Sequence, residues 1–287
     1  MDAPSARLSA SAGDPVNILI TLGTALFALC LLWLVQSLVL LLVGEPLAPP
    51  LRFTTRKPVV KYASRVMIHT SWMIILVGTQ IALGVPLMDA LHQAFPTPVP
   101  WRDMALAFAI MFVPATVTYA IYIVLGFARV EPQRDTRTRR SKLGRRFWGP
   151  WPLATFEEAV FRGVLLEQLI RSFPASRAHE ALAVIVSSAV FASVHFIKPR
   201  TGKPVWQPAW GYFIVGCLFG LGYVVGGRSL WVPIMLHGTA VFVIEVMRLY
   251  VVFQAPPWLI GYGGSPQSGL IGTIMILVMA IGVAVLI

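Results

Sequence analysis

An all-α membrane protein, with about eight transmembrane helices forming one bundle, is predicted from three features of the 287-residue chain. The composition is 57% hydrophobic and 12% charged with a mean hydropathy of +0.75, more apolar surface than a soluble fold of this length could bury. Apolar runs long enough to span recur at about 16–43, 62–87, 104–128, 153–172, 180–198, 208–226, 230–252 and 268–287. The basic residues gather in alternate connections between those runs. No soluble domain is inserted, and no repeat or low-complexity tract interrupts the chain.

Taken in order, residues 1–15 form a tail carrying Asp2, Arg7 and Asp14, without the basic head of a signal peptide. The run that follows is too long for a signal h-region and is read as a retained anchor. Residues 16–128 hold three spans, and 129–152 form a basic cytoplasmic loop. Residues 153–252 hold the charged core, and 253–287 a loop and the last span.

Arg52, Arg56, Lys57, Lys61 and Arg65 mark the first connection, and Arg129, Arg134, Arg137, Arg139, Arg140, Lys142, Arg145 and Arg146 the third. Lys198, Arg200 and Lys203 mark the fifth. These 16 of the 23 basic residues fall on one side if there are eight spans. By the positive-inside rule that side is the cytoplasm and the amino terminus lies outside, in keeping with a bacterial inner membrane. The net charge of +11 is thereby explained by topology and contact with anionic lipid, not by nucleic acid. Cys30 and Cys217 both fall in apolar runs, which excludes a disulfide framework or a CxxC metal site. The sixth run carries Gly216/Gly220 and Gly222/Gly226, small-xxx-small spacings that suit close helix packing inside the bundle.

The chemistry concentrates in three pieces. The first is Glu157-Glu158-x-x-x-Arg162, at the head of an apolar run. A charge at bilayer depth costs about 3 kcal/mol even on the lenient insertion scale, so such residues are functional candidates by default. On a helix Glu158 and Arg162 share a face and can pair, whereas Glu157 points about 100° away and is left free for chemistry. The second piece is Phe191-Ala192-Ser193-Val194-His195, and the third is His237 in Pro233-Ile234-Met235-Leu236-His237-Gly238. One Glu and two His suffice to activate a water and steady an oxyanion. Counting residues sets Glu157 and His195 near the cytoplasmic ends of their spans and His237 toward the opposite end of its own, so a tilt or a break at Pro233 is needed for them to meet.

EExxxR, then FxxxH, then a His in a later span resembles the CPBP family of intramembrane proteases. That family includes the endoproteases that trim prenylated CAAX proteins and the bacterial Abi-type and bacteriocin-immunity members. The similarity runs over roughly residues 150–250. It implies an eight-helix bundle with a cavity open to the cytosol, and a glutamate-dependent mechanism without a metal or other cofactor. It also implies a membrane protein or lipidated peptide as substrate. Carried across by motif, Glu157 is the general base and His195 holds the water with it. Glu158 and Arg162 brace the helix, Phe191 lines the pocket, and His237 helps form the oxyanion site. Where the family usually has Asn or Asp four residues after the last His, this chain has Val241, which cannot donate a hydrogen bond. Either Thr239 substitutes, or the enzyme is slow, altered in specificity or inactive.

Other chemistries fit less well. No GxSG serine motif is present, the Gly13-Asp14 pair lies outside the spans, and His179-Glu180 has Ala183 where an HExxH site needs its second His. Zinc on Glu157, His195 and His237 is the alternative cofactor reading; its ligand types are acceptable, but no helical i, i+4 ligand pair supports it. Two further readings are a proton-coupled transporter and a catalytically inactive CPBP-like scaffold or immunity protein.

Overall fold

The computed structural model describes residues 16–47, 58–131, 136–196, 208–262 and 265–287, and places a helix on each of the eight predicted runs. The helices in order are α1 (Val16–Leu42), α2 (Pro58–Ala82), a short α3 (Leu87–Ala94), α4 (Trp101–Val124) and α5 (Thr136–Trp148). A composite helix follows: α6 (Pro150–Glu158), a π-helical segment (Ala159–Leu166) and α7 (Glu167–Arg171). Then come α8 (Arg177–Phe196), α9 (Ala209–Val225), α10 (Trp231–Met247), α11 (Pro257–Ile260) and α12 (Leu270–Leu286). Of these, α1, α4 and α8 are long and apolar enough to cross a membrane alone, while α9, α10 and α12 are shorter apolar helices. The segment from His69 to Ala94 turns by 115° between α2 and α3. The protein is an all-α, multi-pass membrane protein.

Two stretches read from sequence as loops carry structure of their own. Within 129–152 lies α5, a helix rich in Arg and Lys. Ala128–Val130 (β1) pairs antiparallel with Val251–Phe253 (β2), Arg129 opposite Val252. This ribbon follows α4 directly because Gly126, at φ 71°, ends that helix by letting the Phe127 amide return to the Tyr122 carbonyl. The tail 1–15 and Arg52, Arg56, Lys57, Arg134, Lys198, Arg200 and Lys203 lie outside the described residues.

The bundle has a polar centre because its second half is built around the composite helix. α10 packs against both α4 and α6, α12 against α4 and α9, and α8 against α9, while α1 and α2 form a pair outside them. One apolar cluster (Phe161, Leu166, Phe191, Tyr223, Leu230) surrounds the π segment; a second (Met111, Phe219, Leu236, Ile276, Met279) fills the space between α4, α9, α10 and α12. Leu19, Leu34 and Leu42 on α1 and Val285 on α12 are largely exposed, as lipid-facing residues are. The glycine pairs of α9 act inside the bundle. A Cβ at Gly216 or Gly220 would press on Ser188 or Val184 of α8, and one at Gly222 or Gly226 on Leu236 or Val232 of α10.

At the far end of the composite helix, buried Glu167 accepts hydrogen bonds from Arg171 Nε (2.7 Å), Gln93 Nε2 (3.0 Å) and the Tyr223 hydroxyl (3.0 Å). Arg228 approaches the same carboxylate at 3.9 Å and is held by Glu180 at 2.9 Å. One carboxylate thus ties α3, α7, α9 and the α9–α10 turn together. Glu167→Ala strands these donors and is expected to cost about 3 kcal/mol, read as a lowered Tm in detergent, with Glu167→Gln costing less.

Candidate functional site

Glu157 and Glu158 are the last residues of α6, immediately before the helix widens into its π turns. A π-helical insertion shifts the register of side chains between its two sides and is found often at functional sites. Here both carboxylates are buried, but in different company. Glu158 is fully buried and accepts from Arg162 Nη1 at 3.1 Å and from His237 Nδ1–H at 2.7 Å. Arg162, also fully buried, donates through Nη2 to the Gly216 carbonyl at 2.8 Å and lies over the rings of Phe191 (4.8 Å) and Phe219 (5.5 Å). A Cβ at Gly216 would press on Ser188 and Phe191 of α8, so the glycine keeps α9 close to α8 here.

Glu157 makes no hydrogen bond to the described residues; its Oε2 stands 3.7 Å from His237 Nε2. Because His237 gives its Nδ1 proton to Glu158, Nε2 is the nitrogen turned toward Glu157. The imidazole is fixed further by stacking on Phe219, with centroids 4.7 Å apart and planes 19° apart. Formal charges in this buried group are two carboxylates and one guanidinium. A single additional proton, on His237 or on Glu157, makes it neutral.

Glu157, Phe191, His195 and His237 all line one cavity of about 270 Å³. His195 enters from the end of α8. Its Nδ1–H donates to the Phe191 carbonyl at 2.8 Å, and its ring stacks on Tyr212 at 4.3 Å. Val241 lines the cavity one turn after His237, whereas Thr239 is fully buried, is not part of the lining, and its hydroxyl has no hydrogen-bond partner among the described residues. Among the described residues no three His, Cys, Asp or Glu side chains are grouped so as to hold a metal ion.

The depth mismatch expected from counting disappears without a break at Pro233, which sits in the first turn of α10, where proline is tolerated. The composite helix starts at Pro150, three residues before the predicted end of its run, and α10 stops at Met247, five residues before. At 1.5 Å per residue, an expected gap of about 16 Å along the bundle becomes about 5 Å.

Residues 149–243 match the family described as type II CAAX prenyl endopeptidase Rce1-like. This segment is similar to that family. The match starts one residue before α6 and ends within α10, so it contains both glutamates, Arg162 and both cavity histidines, and it supports the resemblance to CPBP intramembrane proteases. No curated protein and no solved structure matches the chain.

Sequence reasoning missed other polar groups of the cavity, among them Tyr119 of α4, Tyr212 of α9, Glu245 and Arg248 at the end of α10, and Gln267 before α12. The spacing of Glu245 and Arg248 at 8 and 11 residues after His237 is a helical-face signal, but both fall inside the seventh apolar run, 230–252, where the reading does not single them out.

Proposed function

We propose that this chain is an intramembrane endopeptidase that hydrolyses a peptide bond near the C-terminus, or membrane-proximal segment, of a membrane-associated or lipidated protein. The observation that carries the reading is Glu157, without a hydrogen bond to the described residues, facing a cavity beside an imidazole whose other nitrogen is held by Glu158. A water held between Glu157 and the cavity histidines gives its proton to Glu157 as its oxygen attacks the scissile carbonyl carbon. The oxyanion that forms is met by protonated His237, donating through Nε2. Glu157 then passes the proton to the leaving nitrogen as the C–N bond breaks, which leaves a carboxylic acid and an amine; the acid proton passes to the amine, giving a carboxylate and an ammonium. His195, which lines the same cavity, steadies the water. No step is routed through a metal. By the positive-inside rule the α5 side faces the cytoplasm, the amino terminus lies outside, and the setting is a bacterial inner membrane.

The test compares wild type with Glu157→Gln in native membranes by mass spectrometry of protein C-termini. Trimmed termini that vanish in the variant support the reading and name the substrate; identical profiles would sink it. Val241 supplies a second check. Val241→Asn puts a donor on the cavity wall one turn from His237, and it is expected to raise kcat about 10-fold or more, since one oxyanion donor is typically worth about 10²–10³. An unchanged rate would mean that the oxyanion does not form on that wall.

A further inference from the structure

One face of α10 runs the length of the cavity: His237, Val241, Ile244, Glu245 and Arg248 all line it. Arg248 is the one Lys or Arg in the lining among the described residues. Its Nη1 holds Glu245 Oε1 at 2.5 Å, so its guanidinium already engages a carboxylate at the cavity's edge. Glu245 is not dependent on Arg248 alone, because Arg146 of α5 reaches its Oε2 at 3.5 Å and donates to its backbone carbonyl. Arg146, Arg248 and Glu245 together carry one net positive charge. Tyr119 of α4 lines the same cavity; it is 3% exposed, and its hydroxyl has no hydrogen-bond partner among the described residues. A buried O–H without an acceptor, in a cavity that also holds a guanidinium, is the pattern of a site for an anionic oxygen.

We propose that Arg248 and Tyr119 receive the free C-terminal carboxylate of the substrate and so set where the chain is cut. The proposal rests on the endopeptidase reading above. Arg248 shares its guanidinium between Glu245 and the incoming carboxylate, Tyr119 donates its hydroxyl, and Arg146 keeps Glu245 paired meanwhile. The same geometry fixes the length of the released piece. Arg248 lies eleven residues past His237, about 16 Å along the helix, and its head reaches back to the level of Glu245, about 12 Å. An extended peptide covers that distance in about three to five residues. The anchor thereby accounts for cutting a few residues from a free terminus, and removing it should weaken the preference for bonds near that terminus.

The experiment uses the full-length protein in proteoliposomes and one farnesylated peptide in two forms, free acid and C-terminal amide. Wild type is expected to cut the amide with a KM at least about 10-fold higher and a similar kcat, a loss in the range of one charge-assisted contact. R248Q is expected to show that raised KM with the acid and to lose the acid–amide difference, R248K to keep part of it, and Y119F to raise the KM for the acid a few-fold. Equal KM values of wild type for acid and amide overturn the anchor, whatever R248Q does. Loss of cutting in Glu157→Gln with equal acid and amide values leaves the endopeptidase reading standing and removes only the anchor. Where wild type cuts neither form, the endopeptidase reading fails for this peptide, and binding of the two forms, read by fluorescence anisotropy, decides the anchor by itself: acid-selective binding that R248Q abolishes upholds it, and equal binding removes it.

Discussion

Glu157→Gln is expected to lower kcat by about 10³ or more while leaving Tm unchanged or slightly raised. The two expectations have one cause. Glu157 makes no hydrogen bond to the described residues, so the fold loses nothing when its charge is removed. A carboxylate held at bilayer depth beside a second carboxylate is instead a cost that the amide relieves. The amide matches the carboxylate in size but accepts no proton, which removes the general base, a contribution of about 10²–10⁴, and with it the shuttle to the leaving nitrogen. Measured on one preparation, turnover and thermal unfolding should move in opposite directions. A variant that loses both together would show that Glu157 is a structural residue.

Several parts of this arrangement were legible in the sequence, and for physical reasons. A helix lies on each of the eight predicted runs because lipid demands long apolar stretches, and among the described residues the sheet is limited to the three-residue strands β1 and β2. The Glu158–Arg162 pair follows from i, i+4 spacing and is present at 3.1 Å even though the helix changes type at residue 159. The freedom of Glu157 follows from the same spacing. The partner of Glu158 across the bundle, His237, does not, because nothing local connects residues 79 apart. The π segment has no composition of its own; Ala159–Leu166 reads as any apolar helix. Helix ends were the largest source of error in depth, since a few residues at Pro150 and Met247 decide whether His237 and Glu157 meet. Arg248 was hidden for a related reason. At the edge of a span an arginine is expected by topology alone, and its place on the cavity face emerges only once α10 is set against α4.

Glu158 should behave unlike its neighbour in both measurements. Glu158→Ala strands Arg162, whose guanidinium is fully buried, and an unpaired buried charge costs about 3–5 kcal/mol. That variant is expected to accumulate poorly. Glu158→Gln keeps an oxygen for Arg162 Nη1 but changes the charge of the cluster, because Arg162 then balances Glu157 alone and no proton is required on His237. Neutral His237 cannot donate through Nε2 while Nδ1–H stays on residue 158, so the oxyanion loses its donor and kcat is expected to fall about 10²–10³ with KM little changed. The decisive case is the double variant Glu158→Gln with Arg162→Met. It removes the buried cation together with its partner and lets an apolar side chain lie against Phe191 and Phe219, so stability should return toward wild type. Turnover should stay low, since the carboxylate that holds His237 Nδ1–H and orients the ring is still missing. Recovery of activity along with stability would mean that the pair is scaffolding. Recovery of stability alone identifies Glu158 as the positioning residue of the site, acting through His237.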